Sequence, residues 1–140
     1  MPVVSVRISD NELYDRLRQN ARRHSQGIST LAERLIDEGL RMQAHPALMF
    51  RDGPRGRRAA LAAGPEIVDV IGSLIGGDVP AGQRRARAAE LLNISPATVD
   101  AALTYYAEFT DEIDAEMAER ARASEEAEAA WARQQALLEA

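Results

Sequence analysis

Seven residues near the N-terminus, VVSVRIS from Val3 to Ser9, constrain the fold more than any other stretch. Val4, Val6 and Ile8 fall on one side of an extended strand, and Val3, Ser5 and Arg7 on the other. A strand this short cannot stand alone in water. Within a few residues the apolar pattern changes to a helical period. The economical solution is a dimer: two copies pair their strands antiparallel, and the helices of both chains bury the inner face.

The helices that follow are marked by their ends. Ser9-Asp10-Asn11-Glu12 reads as a capping box in which Ser9 caps and Glu12 reaches back. Leu13, Leu17 and Ala21 then share a face, with Tyr14 beside them. Ser25-Gln26-Gly27 breaks this helix, with Gly27 able to take a positive φ. A second start signal stands at Ser29-Thr30, with Glu33 three residues after Thr30. Leu31, Ala32, Leu35, Ile36 and Leu40 make the next apolar face, and His45-Pro46 ends it.

Strand, helix, short glycine turn and helix within Met1 to Ala44 resemble the ribbon-helix-helix repressors of the CopG and Arc type. The likeness covers the first third of the chain and rests on this pattern and on the turn Gly27-Ile28-Ser29-Thr30. It implies a homodimer, or a higher even oligomer, on double-stranded DNA. Val3, Ser5 and Arg7 would read base edges, and Ser29 and Thr30 would hold a backbone phosphate. The chemistry agrees. An arginine fork matches the O6 and N7 acceptors of guanine, a contact worth roughly 1–3 kcal/mol of discrimination. The free N–H groups and dipole of a helix N-terminus favour an anion. Arg22, Arg23 and His24 fit either charge compensation at a helix C-terminus or phosphate contact.

The stretch from His45 to Phe109 is expected to be a small helical domain. FRDGPRGRRAAL, Phe50 to Leu61, is a turn or short hairpin at Gly53, Pro54 and Gly56. Its basic residues Arg51, Arg55, Arg57 and Arg58 suit either a solvated linker or DNA backbone contact. It carries no phosphate-loop pattern. Pro65 is expected in the first turn of a helix whose apolar face is Ile67, Val70, Ile71, Leu74 and Ile75, ended by Gly76-Gly77-Asp78. A further helix runs through QRRARAAELL. Then comes a turn at Asn93, a cap at Ser95, Pro96 at the first helical position, and a helix burying Val99, Ala102, Leu103, Tyr106 and Phe109. This pair has the pattern of a helix-turn-helix. Its second helix lacks Arg, Lys, Asn and Gln and carries Asp100, which phosphates repel, so a packing module is the favoured reading.

The IVDVI and SPATVDAALTYYAEF segments also resemble an antitoxin-associated domain of unknown function, the DUF four-three-three type. The chain departs from that pattern at Ala63-Gly64-Pro65, where the family has a Gly-Thr-Arg turn. Such domains often accompany toxins with a PIN-type nuclease fold. The resemblance therefore implies an autorepressing antitoxin of a type II toxin–antitoxin pair, with a PIN-like ribonuclease as partner. The alternatives are a stand-alone ribbon-helix-helix regulator and a non-DNA adaptor dimerised by its ribbon.

Residues 110–140 form an acidic helical tail. Ile113, Met117, Ala121, Ser124, Trp131 and Leu138 make a thin stripe, too narrow for a strong coiled coil. Trp131 on a charged helix reads as a partner anchor or as a side chain folded back on its own domain. The tail's candidate toxin contacts are Met117, Arg120, Arg122, Trp131, Arg133 and Leu138. Its carboxylates read as a solvated face, with nothing around them to raise a pKa by burial.

The chain carries 22 acidic residues and 17 basic ones, all of them arginine, for a net charge of -5. The two signs roughly balance as far as Tyr105, and the acidity lies beyond. There is no cysteine. His24 and His45 are far apart, and no hydrolase, metalloprotease or dinucleotide motif occurs. A catalytic site, a metal and a cofactor are therefore not expected. The alternating N-terminus reads as a strand rather than a signal peptide, and the cytoplasm is the expected location, with no membrane contact. The class expected is mainly α: a dimeric ribbon-helix-helix with a two-stranded antiparallel ribbon over residues 1–44, a helix-turn-helix-like domain over 45–109 and a charged C-terminal helix over 110–140.

Overall fold

The computed structural model describes all residues from Met1 to Ala140. The chain is mainly helical, with one two-stranded antiparallel sheet. It divides into two compact units, Met1–Ala44 and His45–Ala140. No helix is long and apolar enough to cross a membrane.

In the first unit, α1 (Asn11–Arg23) packs on α2 (Ile28–Ala44), and Ala21 and Leu31 are buried. The cap of α1 falls one residue later than the sequence predicts. Asp10, not Ser9, accepts the Glu12 N–H, at 2.9 Å. Both residues are good caps, and the shorter reach wins. The break after α1 also differs, because Ser25 takes the left-handed conformation, at φ 51°, and Gly27 does not. α2 opens at Ile28, so Ser29 and Thr30 lie inside its first turn. Val3–Ser9 forms no strand in the single chain. The ribbon expected here would need the strand of a second copy as its hydrogen-bonding partner.

The sheet lies elsewhere, in the second unit. β1 (Leu48–Gly53) pairs antiparallel with β2 (Gly56–Leu61), in register from Leu48 opposite Leu61 to Gly53 opposite Gly56. Pro54 and Arg55 make the turn, and Gly56 supplies the positive φ of 100° that closes it. The hairpin alternative for this stretch is therefore the correct one. β2 then turns sharply: the Leu61 N–H donates to the Pro65 carbonyl at 3.0 Å, and Ala60 bridges Glu66. Helix α3 (Ile67–Ser73) follows, capped at Glu66, so Pro65 precedes it rather than sitting in its first turn. It ends at Ser73, before the glycines, and leaves Ile75 exposed.

A short 3-10 turn, Ala81–Gln83, leads into α4 (Arg84–Leu92). Asn93 ends α4 in the left-handed conformation, and Ser95 accepts the Thr98 N–H at 3.1 Å. Pro96 opens α5 (Pro96–Glu108), as its fixed φ favours. Val99, Ala102 and Tyr105 are its buried residues. Tyr106, predicted inward, is only partly buried, because the inward phase of the helix is set by Val99 and Ala102. Helix α6 (Thr110–Glu139) follows directly and belongs to the same unit. Ile113 is fully buried and Met117 packs against the core built by Leu61, Ile67, Val70 and Val99.

Candidate nucleic-acid and partner interfaces

The first unit presents the predicted base-reading residues openly. Val3, Ser5 and Arg7 are exposed, and so are Val4 and Val6, at 82% and 69%. Leu13, Tyr14, Leu35, Ile36 and Leu40 on the two helices are exposed as well. Both the apolar Val4 and Val6 and the polar Ser5 and Arg7 are thus left uncovered. At α2, the first amide to bond within the helix is that of Leu31, to the Gly27 carbonyl at 3.1 Å. The amides of Ile28, Ser29 and Thr30 are therefore the free end of the helix, where an oxyanion is favoured.

The arginines of the second unit are mostly occupied. Arg51 donates to the Gly64 carbonyl at 2.8 Å, and Arg57 pairs with Asp52 at 3.3 Å. Arg58 reaches across to α6 and donates to Glu119 at 3.2 Å. The hairpin is thus neither a linker nor a free basic patch. Arg51 and Arg58 tie it to the segments around it, Arg57 pairs across its two strands, and Arg55 lies at the tip. On α4, Arg84 donates to the Val79 carbonyl at 3.2 Å and Arg85 to Asp100 at 2.6 Å. The Asp100 carboxylate that would oppose a phosphate already has its cation.

The proposed toxin contacts separate into two groups. Met117 and Arg120 face their own domain. Arg120 donates to Asp69 on α3, and to Glu66 at 2.6 Å. Its hydrogen bond to Asp69 holds the guanidinium above its ordinary pKa. Arg122, Trp131, Arg133 and Leu138 lie on the distal part of α6, where no residue is buried. Trp131 is 63% exposed and Leu138 78%, so Trp131 does not fold back.

One tail carboxylate contradicts the expectation of a solvated face. Glu116 lies between α6 and the hairpin, its side chain only 11% exposed. Burial pushes its carboxyl up to about 7, with Arg58 acting against that rise and Glu112 and Glu66 adding to it. No local sequence pattern marks Glu66 and Arg58 as its neighbours. The acids at the start of α3 were visible in sequence, but a helix start suits acids without any partner. At the base of α6, Tyr105 donates to Glu112 at 2.8 Å and Tyr106 to Asp114 at 2.8 Å. The second bond raises the Tyr106 pKa.

No protein-family model matches the chain, and neither does any curated protein or solved structure.

Proposed function

We propose that the chain is a homodimeric DNA-binding protein of the ribbon-helix-helix kind. In this reading Val3–Ser9 pairs between two copies, Val3, Ser5 and Arg7 read base edges, and Ser29 and Thr30 hold a phosphate. The observation that carries the reading is the uncovered apolar set of the first unit: Val4 and Val6 on the segment, with Leu35, Ile36 and Leu40 on α2. Burying one such side chain contributes about 1.5–3 kcal/mol. Several in each of two chains are enough to offset the cost of association, roughly 4–15 kcal/mol.

The second half of the proposal is an antitoxin role. The distal face of α6, with Trp131, Leu138, Arg122 and Arg133, would engage a toxin, by family resemblance a PIN-like ribonuclease. An unburied tryptophan on a polar helix supports it. A stand-alone regulator is the second reading. It is favoured by the inward placement of Met117 and Arg120, which removes two of the tail's candidate contacts.

The test of the DNA role is titration of the full chain with the DNA upstream of its own gene. Binding should weaken with salt at a log–log slope of about −0.9 per phosphate neutralised. Arg7→Ala should lower affinity and flatten sequence preference. An unchanged affinity and preference would remove ribbon readout.

A further inference from the structure

Helix α6 is held to its unit by charged contacts on one side of Ile113 and Met117. Arg120 binds Asp69 and Glu66, and Arg58 of β2 binds Glu119. Glu116 lies between these pairs and shares in neither hydrogen bond. Its Oε2 is buried and accepts no hydrogen bond from the protein. The nearest cation, the Arg58 Nε, is 3.9 Å away, beyond hydrogen-bonding distance. The Arg58 side chain is itself only 17% exposed and is already engaged by Glu119.

We infer that Glu116 is a proton-operated latch: protonated, it lets the base of α6 close onto β2 and α3, and ionised, it loosens that closure. The reason is the imbalance of charge at the seam. Facing Glu116 are Arg58 from β2, Glu66 at the start of α3, and Glu112 and Arg120 from α6 itself, with Glu119 on the far side of the Arg58 pair. Asp69 of α3 and Tyr105 of α5 stand behind Arg120 and Glu112. Both cations already hold carboxylates. A further negative charge therefore gains a shared partner at long range, is repelled by Glu112 and Glu66, and loses its water. A neutral carboxyl avoids all three effects.

The sign follows directly. The carboxyl sits at about 7 in the docked state, against 4.5 ordinarily. The docked state thus holds the proton more tightly, and docking weakens as pH rises between those two values and up through the higher one. Between pH 6 and 8 the docking equilibrium should fall about tenfold. The loosened helix is the one that carries Trp131, so the proton would govern how firmly that face is mounted.

The experiment is hydrogen exchange of the α6 amides from Ile113 to Arg120 in the full chain, as protection factors at pH 6 and pH 8. An undocked first turn frays, because an isolated helix is marginal in water. The wild-type protection should fall about tenfold over that range. Glu116→Gln, neutral at both values, should stay at the level of the low-pH protein. Glu126→Gln, which removes an exposed carboxylate on the distal part of α6, should keep the fall. A flat wild-type profile, or an undiminished fall in Glu116→Gln, would overturn the latch. A carbon-13 titration of the Glu116 carboxyl in the wild type provides a check independent of any variant. A midpoint near neutrality is expected, and a midpoint in the ordinary carboxylate range would overturn it.

Discussion

Arg120 on α6 and Asp69 on α3 are bonded across 51 residues of sequence, and a second nitrogen of the same guanidinium reaches Glu66 at 2.6 Å. That fork turns the start of the C-terminal helix from a free tail into part of the second unit. Arg120→Ala should destabilise this unit by about 1 kcal/mol, the upper range for a partly exposed ion pair. Urea unfolding followed by circular dichroism measures it. If the first unit binds DNA as proposed, DNA affinity should stay unchanged.

Ile113 is fully buried, one helical turn before Met117. Ile113→Ala removes the apolar anchor of α6 and leaves a cavity against the core. The expected loss is about 2–4 kcal/mol, larger than that of Arg120→Ala. The order of the two variants in urea midpoint tests whether packing or charge dominates at this seam.

Ser95 accepts the Thr98 N–H at 3.1 Å and also exchanges a hydroxyl bond with Thr98 Oγ1 at 2.8 Å. Ser95→Ala should cost about 1 kcal/mol. Ser95→Asp, which keeps an acceptor and adds charge at the helix N-terminus, should restore most of it. Thermal unfolding of the two variants decides this.

These variants also show what a sequence can and cannot disclose. The α4–α5 turn was fully legible, because Asn93, Ser95 and Pro96 each act on backbone within three residues of themselves. The hairpin was half legible: Gly53-Pro54-Gly56 announced a turn, but not that Arg51 and Arg58 would be bonded to Gly64 and Glu119. Ser9 and Asp10 compete for the same cap, and composition alone cannot order them. Tyr105 and Tyr106 differ by one residue, and the phase of the neighbouring apolar residues decides between them. The Arg120 fork and the burial of Glu116 depend on partners more than fifty residues away. No local pattern encodes a contact of that kind.

Trp131 and Leu138 are exposed together on the distal α6 face. If that face binds a toxin, Trp131→Ala should weaken capture of the protein encoded beside this one by tenfold or more, the loss expected for a buried aromatic anchor. DNA binding should be retained. Co-purification of the two proteins, with and without the substitution, measures it. Equal recovery would favour the stand-alone regulator.

In the proposed function, Val3–Ser9 becomes a ribbon only between two copies. The most direct measurement is an interchain distance. With no native cysteine, Ser5→Cys gives one spin label per chain, on the polar side of the segment. Neighbouring strands lie about 4.8 Å apart, so the ribbon requires a single narrow and short label-to-label distance in the free protein. A chain without interchain dipolar coupling, or with a broad long-distance distribution, would contradict the ribbon and the DNA-reading role built on it.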